Sequence, residues 1–273
     1  MIRWFVNMLV ASLIFLPTHP FSETPQDLHL AYEDVLLATE DQVTLHGWWF
    51  PTKHSSVALL FFHGNAGNIS RRLPKAKAWV DREVPVFLFD YRGYGKSEGK
   101  IKSEADLYRD GRAALKWLHE QKGFEPSRII LYGESLGAVL AVQFGTEQPF
   151  KAAILEAPFA SIPEMGRLRY PLLSRIISGA LLSDFEMNNE KKISRLKAPV
   201  FIIHGTEDKL TPFSMGKRLY DAAPFPKEFL EVPGGGHNQM DVIAGPVFYD
   251  RPLQFAMNEE KAEIQVDSQR SHV

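Results

Sequence analysis

The sequence predicts an α/β architecture: a mostly parallel central sheet with helices on both faces and a short helical insertion. Three observations predict it. Short apolar runs alternate with helix-forming stretches from about residue 32 to residue 263. The run Ile129-Ile130-Leu131-Tyr132 leads directly into Gly133-Glu134-Ser135-Leu136-Gly137 and then into a helix-forming segment. The alternation breaks between Ala160 and Leu196, a stretch too long for a plain connection.

The elements follow in order. Tyr32 to Ala38 and Val43 to Phe50 read as a strand pair around Thr39-Glu40-Asp41-Gln42. Val57 to Phe62 is a short apolar run, as expected of a strand buried on both faces. Arg72 to Arg82 is helical, and Val84 to Asp90 is a strand of β-branched and aromatic residues. Ser103 caps a helix running to about Gln121, with Asp106 completing the capping pair. Leu107, Gly111, Ala114, Leu115 and Leu118 share one face of that helix. Arg128 to Tyr132 is the strand before the serine, and Ala138 to Phe144 the helix after it. Lys151 to Leu155, Pro199 to His204 and Glu228 to Val232 are further strands. Helices are expected at Phe213 to Ala222 and at about Val247 to Glu263.

A chain of 273 residues, 45% hydrophobic and 23% charged, can bury one large core. A formal net charge of −2 offers no basic field for nucleic acid. The chain has no cysteine, which excludes disulfides, thiol catalysis and cysteine-bound zinc.

Arg3 precedes an apolar stretch from Trp4 to Leu16, like the start of a secretory signal. As a helix it would span about 20 Å, short of a hydrocarbon core of roughly 30 Å. Pro17-Thr18-His19-Pro20-Phe21 offers no small-x-small cleavage site. Three readings follow: an uncleaved membrane anchor, a cleaved signal, or a helix packed on the domain. The anchor reading places the N-terminus in the cytoplasm and the domain outside, with a secreted or soluble protein as the alternative. The expected organisation is an anchor- or signal-like segment over residues 1–16, the α/β domain over 17–263 with its insertion at about 160–196, and a polar tail over 264–273.

A serine hydroxyl is a weak nucleophile at neutral pH. It needs a base, usually histidine, and that histidine needs a carboxylate to fix its tautomer. Ser135 stands on a turn that needs small neighbours, which Gly133 and Gly137 supply. Asp208 follows the strand ending in His204-Gly205, and His237 follows the next strand and three glycines. All three lie past strand C-terminal ends, where open α/β sheets place their sites. Glu207 is the competing carboxylate, Asp208 has the alternative of a capping role before Leu210-Thr211-Pro212, and Asp184 reads as solvated or capping. His63 and His204 read as structural. A tetrahedral oxyanion needs two donors, and the backbone N–H groups of Leu136 and Asn65 are the candidates. Asn65 lies in His63-Gly64-Asn65-Ala66-Gly67-Asn68, which lacks the Lys-Ser/Thr pair of a phosphate loop.

The chain resembles serine hydrolases of the α/β-hydrolase superfamily. His63 to Asn68, Asp90-Tyr91-Arg92-Gly93-Tyr94-Gly95, Gly133 to Gly137, His204 to Asp208 and Gly236-His237-Asn238 stand in that family's order. It also resembles a branch of small hydrolases with an N-terminal membrane segment, related to bud-emergence-type proteins and depalmitoylases. That similarity runs from about Leu16 to Ala256, which argues against cleavage after Pro20. Gln42 departs from the glycine many relatives carry there, and no cysteine-rich N-terminus is present for palmitate. The resemblance implies an α/β-hydrolase fold, a cap at Ala160 to Leu196, and a scaffold loop ordered by Arg92 and Tyr94.

The expected activity is hydrolysis of carboxylic esters or thioesters through an acyl-enzyme, with no metal or organic cofactor. The partner is a small-molecule or lipid-like acyl ester, with possible membrane association through residues 1–16 and no expectation for oligomeric state. The rivals are a peptidase or amidase on the same fold and a non-catalytic membrane-associated binding protein. In the cap, Leu172, Leu173, Ile176, Ile177, Ala180 and Leu181 recur at helical spacing, read either as packing or as an acyl-binding lid helped by Met165, Leu168 and Phe185. Arg167, Arg169 and Arg175 are either solvated or meet anionic headgroups.

Overall fold

In a computed structural model, residues 10–172 and 184–258 are described. Eight strands form one sheet: β1 (Glu33–Ala38), β2 (Thr44–Phe50), β3 (Ala58–Phe62), β4 (Val86–Phe89), β5 (Ile129–Glu134), β6 (Ala152–Glu156), β7 (Val200–Gly205) and β8 (Lys227–Val232). Their spatial order is β8-β7-β6-β5-β3-β4-β2-β1. Strands β3 to β8 run parallel, and β1 and β2 add an antiparallel edge.

The helices are α1 (Leu73–Val80), α2 (Glu104–Lys122), α3 (Gly137–Glu147), α4 (Ile162–Arg169), α5 (Asn189–Ile193), α6 (Phe213–Ala222), α7 (Met240–Ala244) and α8 (Val247–Met257). The β3 run is uniformly apolar because both its faces are covered. Ala58, Leu60 and Phe62 enter one core cluster, while Leu59 and Phe61 enter the other. In β5, Leu131 and Tyr132 divide the same way. The two-residue period of a strand thus feeds two cores from one apolar sequence.

Helix α2 begins with the expected capping box of Ser103 and Asp106 and stops at Gly123 in the left-handed region. Its Leu107, Gly111, Ala114 and Leu118 are buried and Leu115 is partly buried. Two expectations change near the C-terminus. Helix α8 ends at Met257, with Asn258 extended, and the remainder of the expected range to Glu263 lies outside the described residues. The short α7 was not expected; five residues are too few for a periodic pattern.

Within the N-terminal segment, residues 10–16 follow the reading of a segment packed on the domain. Residues 10–14 are helical, and Val10 and Phe15 are buried in the main core. Phe15 meets Phe185 of the insertion at a ring separation of 5.9 Å. Leu16–Pro17 then pairs in parallel with Ala66–Gly67, and Asn68 Nδ2 donates to the carbonyls of Thr18 (3.0 Å) and Pro20 (2.9 Å). Residues 10–16 therefore pack on the domain. Among the described residues no helix is long and apolar enough to cross a membrane. The expectations for residues 1–9, for Leu173, Arg175, Ile176, Ile177, Ala180 and Leu181, and for the tail lie outside the described residues.

Candidate active site

Strand β5 ends in a turn that holds Ser135 at φ +51°, a strained value for a non-glycine residue. Its backbone N–H donates to the carbonyl of Glu156 at 2.8 Å. Space around the turn is minimal. A Cβ on Gly137 would stand 1.9 Å from the Phe62 carbonyl oxygen, and one on Gly133 would stand 2.6 Å from Ala138 Cα. The sequence Gly-x-Ser-x-Gly is thus a steric requirement here. Helix α3 begins at once, so the Leu136 N–H lies at its first turn.

The C-terminal ends of β7 and β8 carry the other two candidates. His237 Nδ1 is 2.7 Å from Asp208 Oδ2. Asp208 Oδ1 accepts the backbone N–H groups of Leu210 (2.8 Å) and Thr211 (2.9 Å), and its Oδ2 accepts the Thr211 hydroxyl (2.7 Å). Asp208 therefore bonds its own turn through both oxygens and His237 through Oδ2. Burial opposes its ionisation. Hydrogen bonds from His204, His237 and Thr211 outweigh burial and hold the carboxyl well below the usual range. An ionised Asp208 accepts a hydrogen bond from Nδ1–H, which favours the tautomer with Nε2 unprotonated.

A cavity of about 550 Å³ joins these groups. Ser135, Leu136, Asn65, Thr211 and His237 all line it. Among the described residues no backbone acceptor takes the N–H of Asn65 or Leu136. The Asn65 side chain is occupied: its Oδ1 accepts from Tyr94 Oη (2.9 Å) and the Leu16 N–H (3.2 Å), and its Nδ2 donates to the Ile14 carbonyl. Glu207 is held by its N–H on the Gly235 carbonyl (2.8 Å) and does not line the cavity.

His63 and His204 are fully buried. Burial pushes His63 down to about 3, so it stays neutral, stacked on Tyr91 with Nδ1 donating to the Gly64 carbonyl at 2.7 Å. His204 Nε2 donates to the Thr211 carbonyl at 2.8 Å. Arg92 binds Asp41, Asp106 and Asp110, tying the Asp90–Gly95 loop to the turn between β1 and β2 and to α2.

Two features were not foreseen. The first is Thr211, whose hydroxyl also stands 3.1 Å from His237 Nδ1; its signal was the Asp-x-x-Thr spacing of a local side-chain turn. The second is an ionic cluster behind the serine. Arg72 pairs with Glu134 at 3.1 Å, and Lys75 pairs with Glu156 at 2.6 Å and stands 3.7 Å from Glu134. Burial opposes ionisation of Glu134, yet Arg72 and Lys75 keep its carboxyl below the usual range. For Glu156, burial wins and the value rises. Arg72 Nη1 also donates to the Ala66 carbonyl (2.6 Å), so the cluster braces the Asn65 loop. Four charges from three elements carry no local sequence pattern. Among the described residues no His, Asp and Glu cluster could hold a metal ion.

Comparison with known proteins identifies the family. Residues 53–194 match a family described as "Serine aminopeptidase, S33". An uncharacterized protein of Mycobacterium tuberculosis is 38% identical over 245 residues, covering 89% of this chain and 85% of that one. The alpha/beta hydrolase domain-containing protein WAV2 of Arabidopsis thaliana is 34% identical, covering 92% and 89%. Protein bem46 of Schizosaccharomyces pombe is 35% identical, covering 79% and 74%. Among solved structures, a Pyrococcus furiosus esterase superposes with a TM-score of 0.73 at 23% identity, over 89% of this chain and 97% of that one. An alpha-beta hydrolase of Vibrio vulnificus gives 0.74 at 20%, over 93% of each. With an eight-stranded sheet of this order and a serine on the strained turn after β5, the chain belongs to the α/β-hydrolase superfamily and is a hydrolase.

Proposed function

We propose that the protein hydrolyses carboxylic esters or thioesters through a covalent acyl-enzyme. The observation that carries the proposal is the 2.7 Å pair of His237 and Asp208, with His237 lining the same cavity as a strained Ser135. Ser135 Oγ attacks the acyl carbon while His237 Nε2 takes its proton. The N–H groups of Leu136 and Asn65 hold the oxyanion. The imidazolium returns the proton to the leaving alkoxide or thiolate. Water, deprotonated by the same histidine, then attacks the acyl-enzyme, and carboxylic acid and free Ser135 result.

A second reading, amide hydrolysis, is favoured by the description of the matching family. An aminopeptidase substrate brings an α-ammonium group that needs a carboxylate. Among the described residues lining the cavity, Glu134 is the one carboxylate, and it is paired with Arg72. The cavity chemistry therefore supports the ester or thioester reading over the peptide one. Labelling with a fluorophosphonate tests the proposal. Wild type is expected to label, and Ser135→Ala and His237→Ala are not. A folded wild type that stays unlabelled, or a labelled Ser135→Ala, would overturn it and favour a binding protein.

A further inference from the structure

We propose that the N-terminal segment forms a wall of an acyl-chain subsite, so that residues 10–16 help set which ester the enzyme prefers. The proposal rests on the acyl-enzyme reading above and names its substrate class: an ester or thioester of a linear aliphatic acid.

Two segments distant in sequence contribute apolar side chains to the cavity that holds Ser135. Leu13, Ile14 and Leu16 come from the N-terminal segment, and Ile162 and Met165 from α4, with Phe159 beside them. Ile14, Ile162 and Met165 pack against the core cluster that contains Val10, Leu136 and Phe159, so the wall is continuous with the protein interior. Leu13 and Leu16 are 48% and 55% exposed, an apolar surface left open beside a nucleophile. The cavity volume of about 550 Å³ lies in the range of small-ligand sites. The aliphatic part of the wall rewards each buried methylene by about fourfold in affinity, while Arg167, Arg169 and Tyr170 also line the cavity.

The segment is fixed where this role needs it to be. Asn65, a candidate oxyanion residue, donates from Nδ2 to the Ile14 carbonyl and accepts the Leu16 N–H on Oδ1. Leu16–Pro17 pairs with Ala66–Gly67 in the same loop. The wall that would hold the acyl chain is thus bonded to the loop that would hold the acyl oxygen.

The experiment uses the full chain with Leu13→Trp, which fills the cavity from an exposed position, and Leu168→Trp, exposed on α4 but off the cavity wall, as control. Two readouts are taken. In the first, kcat/KM is measured for p-nitrophenyl esters from acetate to decanoate. Leu13→Trp is expected to lose about tenfold or more on decanoate, the worth of two methylenes, while acetate stays within about twofold. Leu168→Trp is expected to follow wild type. In the second, calorimetry measures decanoate binding to Ser135→Ala and to Ser135→Ala with Leu13→Trp. Binding is expected in the former and a loss of about tenfold in the latter. An unchanged chain-length profile in Leu13→Trp, or decanoate that binds neither protein, overturns the inference. An unlabelled wild type whose Ser135→Ala form still binds decanoate in a Leu13-dependent way overturns only the acyl-enzyme reading.

Discussion

Replacing Asp208 by asparagine tests the position of one proton. Asp208 Oδ1 accepts from the N–H groups of Leu210 and Thr211 at 2.8 and 2.9 Å. The asparagine oxygen can keep both, so the turn after β7 survives. The amide NH2 then replaces Oδ2, which faces His237 Nδ1 at 2.7 Å, and donates where the carboxylate accepted. His237 must turn Nδ1 into an acceptor and carry its proton on Nε2, where it cannot receive the Ser135 proton. The Asp208 side chain is fully shielded from solvent, so water does not substitute for the lost charge. In a serine protease the equivalent change lowers kcat about 10⁴-fold. Here we expect a loss of about 10³ to 10⁴, which is about 4 to 5.5 kcal/mol of transition-state stabilisation. The assay is kcat on a short ester beside the fluorophosphonate labelling rate and the melting temperature. Thermal melting is expected to move by a few degrees at most, because the two backbone bonds persist. A folded Asp208→Asn within about tenfold of wild type would refute the reasoning.

Two further outcomes follow from the same geometry. Gly137→Ala would drive a Cβ into the Phe62 carbonyl oxygen, which is backbone and cannot swing away. We expect a loss of about 3 kcal/mol or more in urea unfolding, and loss of labelling even in the folded fraction; wild-type stability would contradict the close packing of β3 and α3. The second concerns acid. Glu134 and Asp208 both ionise below the usual carboxylate range when folded. Their stabilisation is therefore complete above the unfolded value near pH 4, and is lost as pH falls through the lower folded values. Unfolding followed by circular dichroism should show stability falling steeply below about pH 4. Glu134→Gln should lower stability at pH 7 and flatten part of that slope, and an unchanged slope would remove Glu134 from the account.

Much of the site was legible because its signals are local. Ser135, Asp208 and His237 each follow an apolar run, and strand ends are readable from hydrophobicity and glycine alone. The capping box of α2 was legible for the same reason: Ser103 and Asp106 are three residues apart and bond to each other's backbone. Thr211 was half legible, since its spacing from Asp208 is local but its approach to His237 joins loops 26 residues apart. The Arg72, Lys75, Glu134 and Glu156 cluster was not legible, because charges at the start of α1, on β5 and on β6 meet only after the sheet forms. Residues 10–16 were left open between three readings for a different reason. An apolar run reads the same whether it faces lipid or a protein core, and only the partners, Phe185 and the Asn65 loop, distinguish the two.

The sequence by itself determined the alternation of strands and helices, and with it a parallel sheet and the order of the three candidate residues along the chain. Periodicity and turn chemistry depend on neighbours within a few residues, so a linear reading contains them. Only the tertiary structure decided that β3 lies between β5 and β4 and that Asp208, bonded to its own turn, also meets His237 through Oδ2. It alone placed the N-terminal segment beside the serine. These are contacts between residues far apart in the chain, and burial, not local preference, selects them.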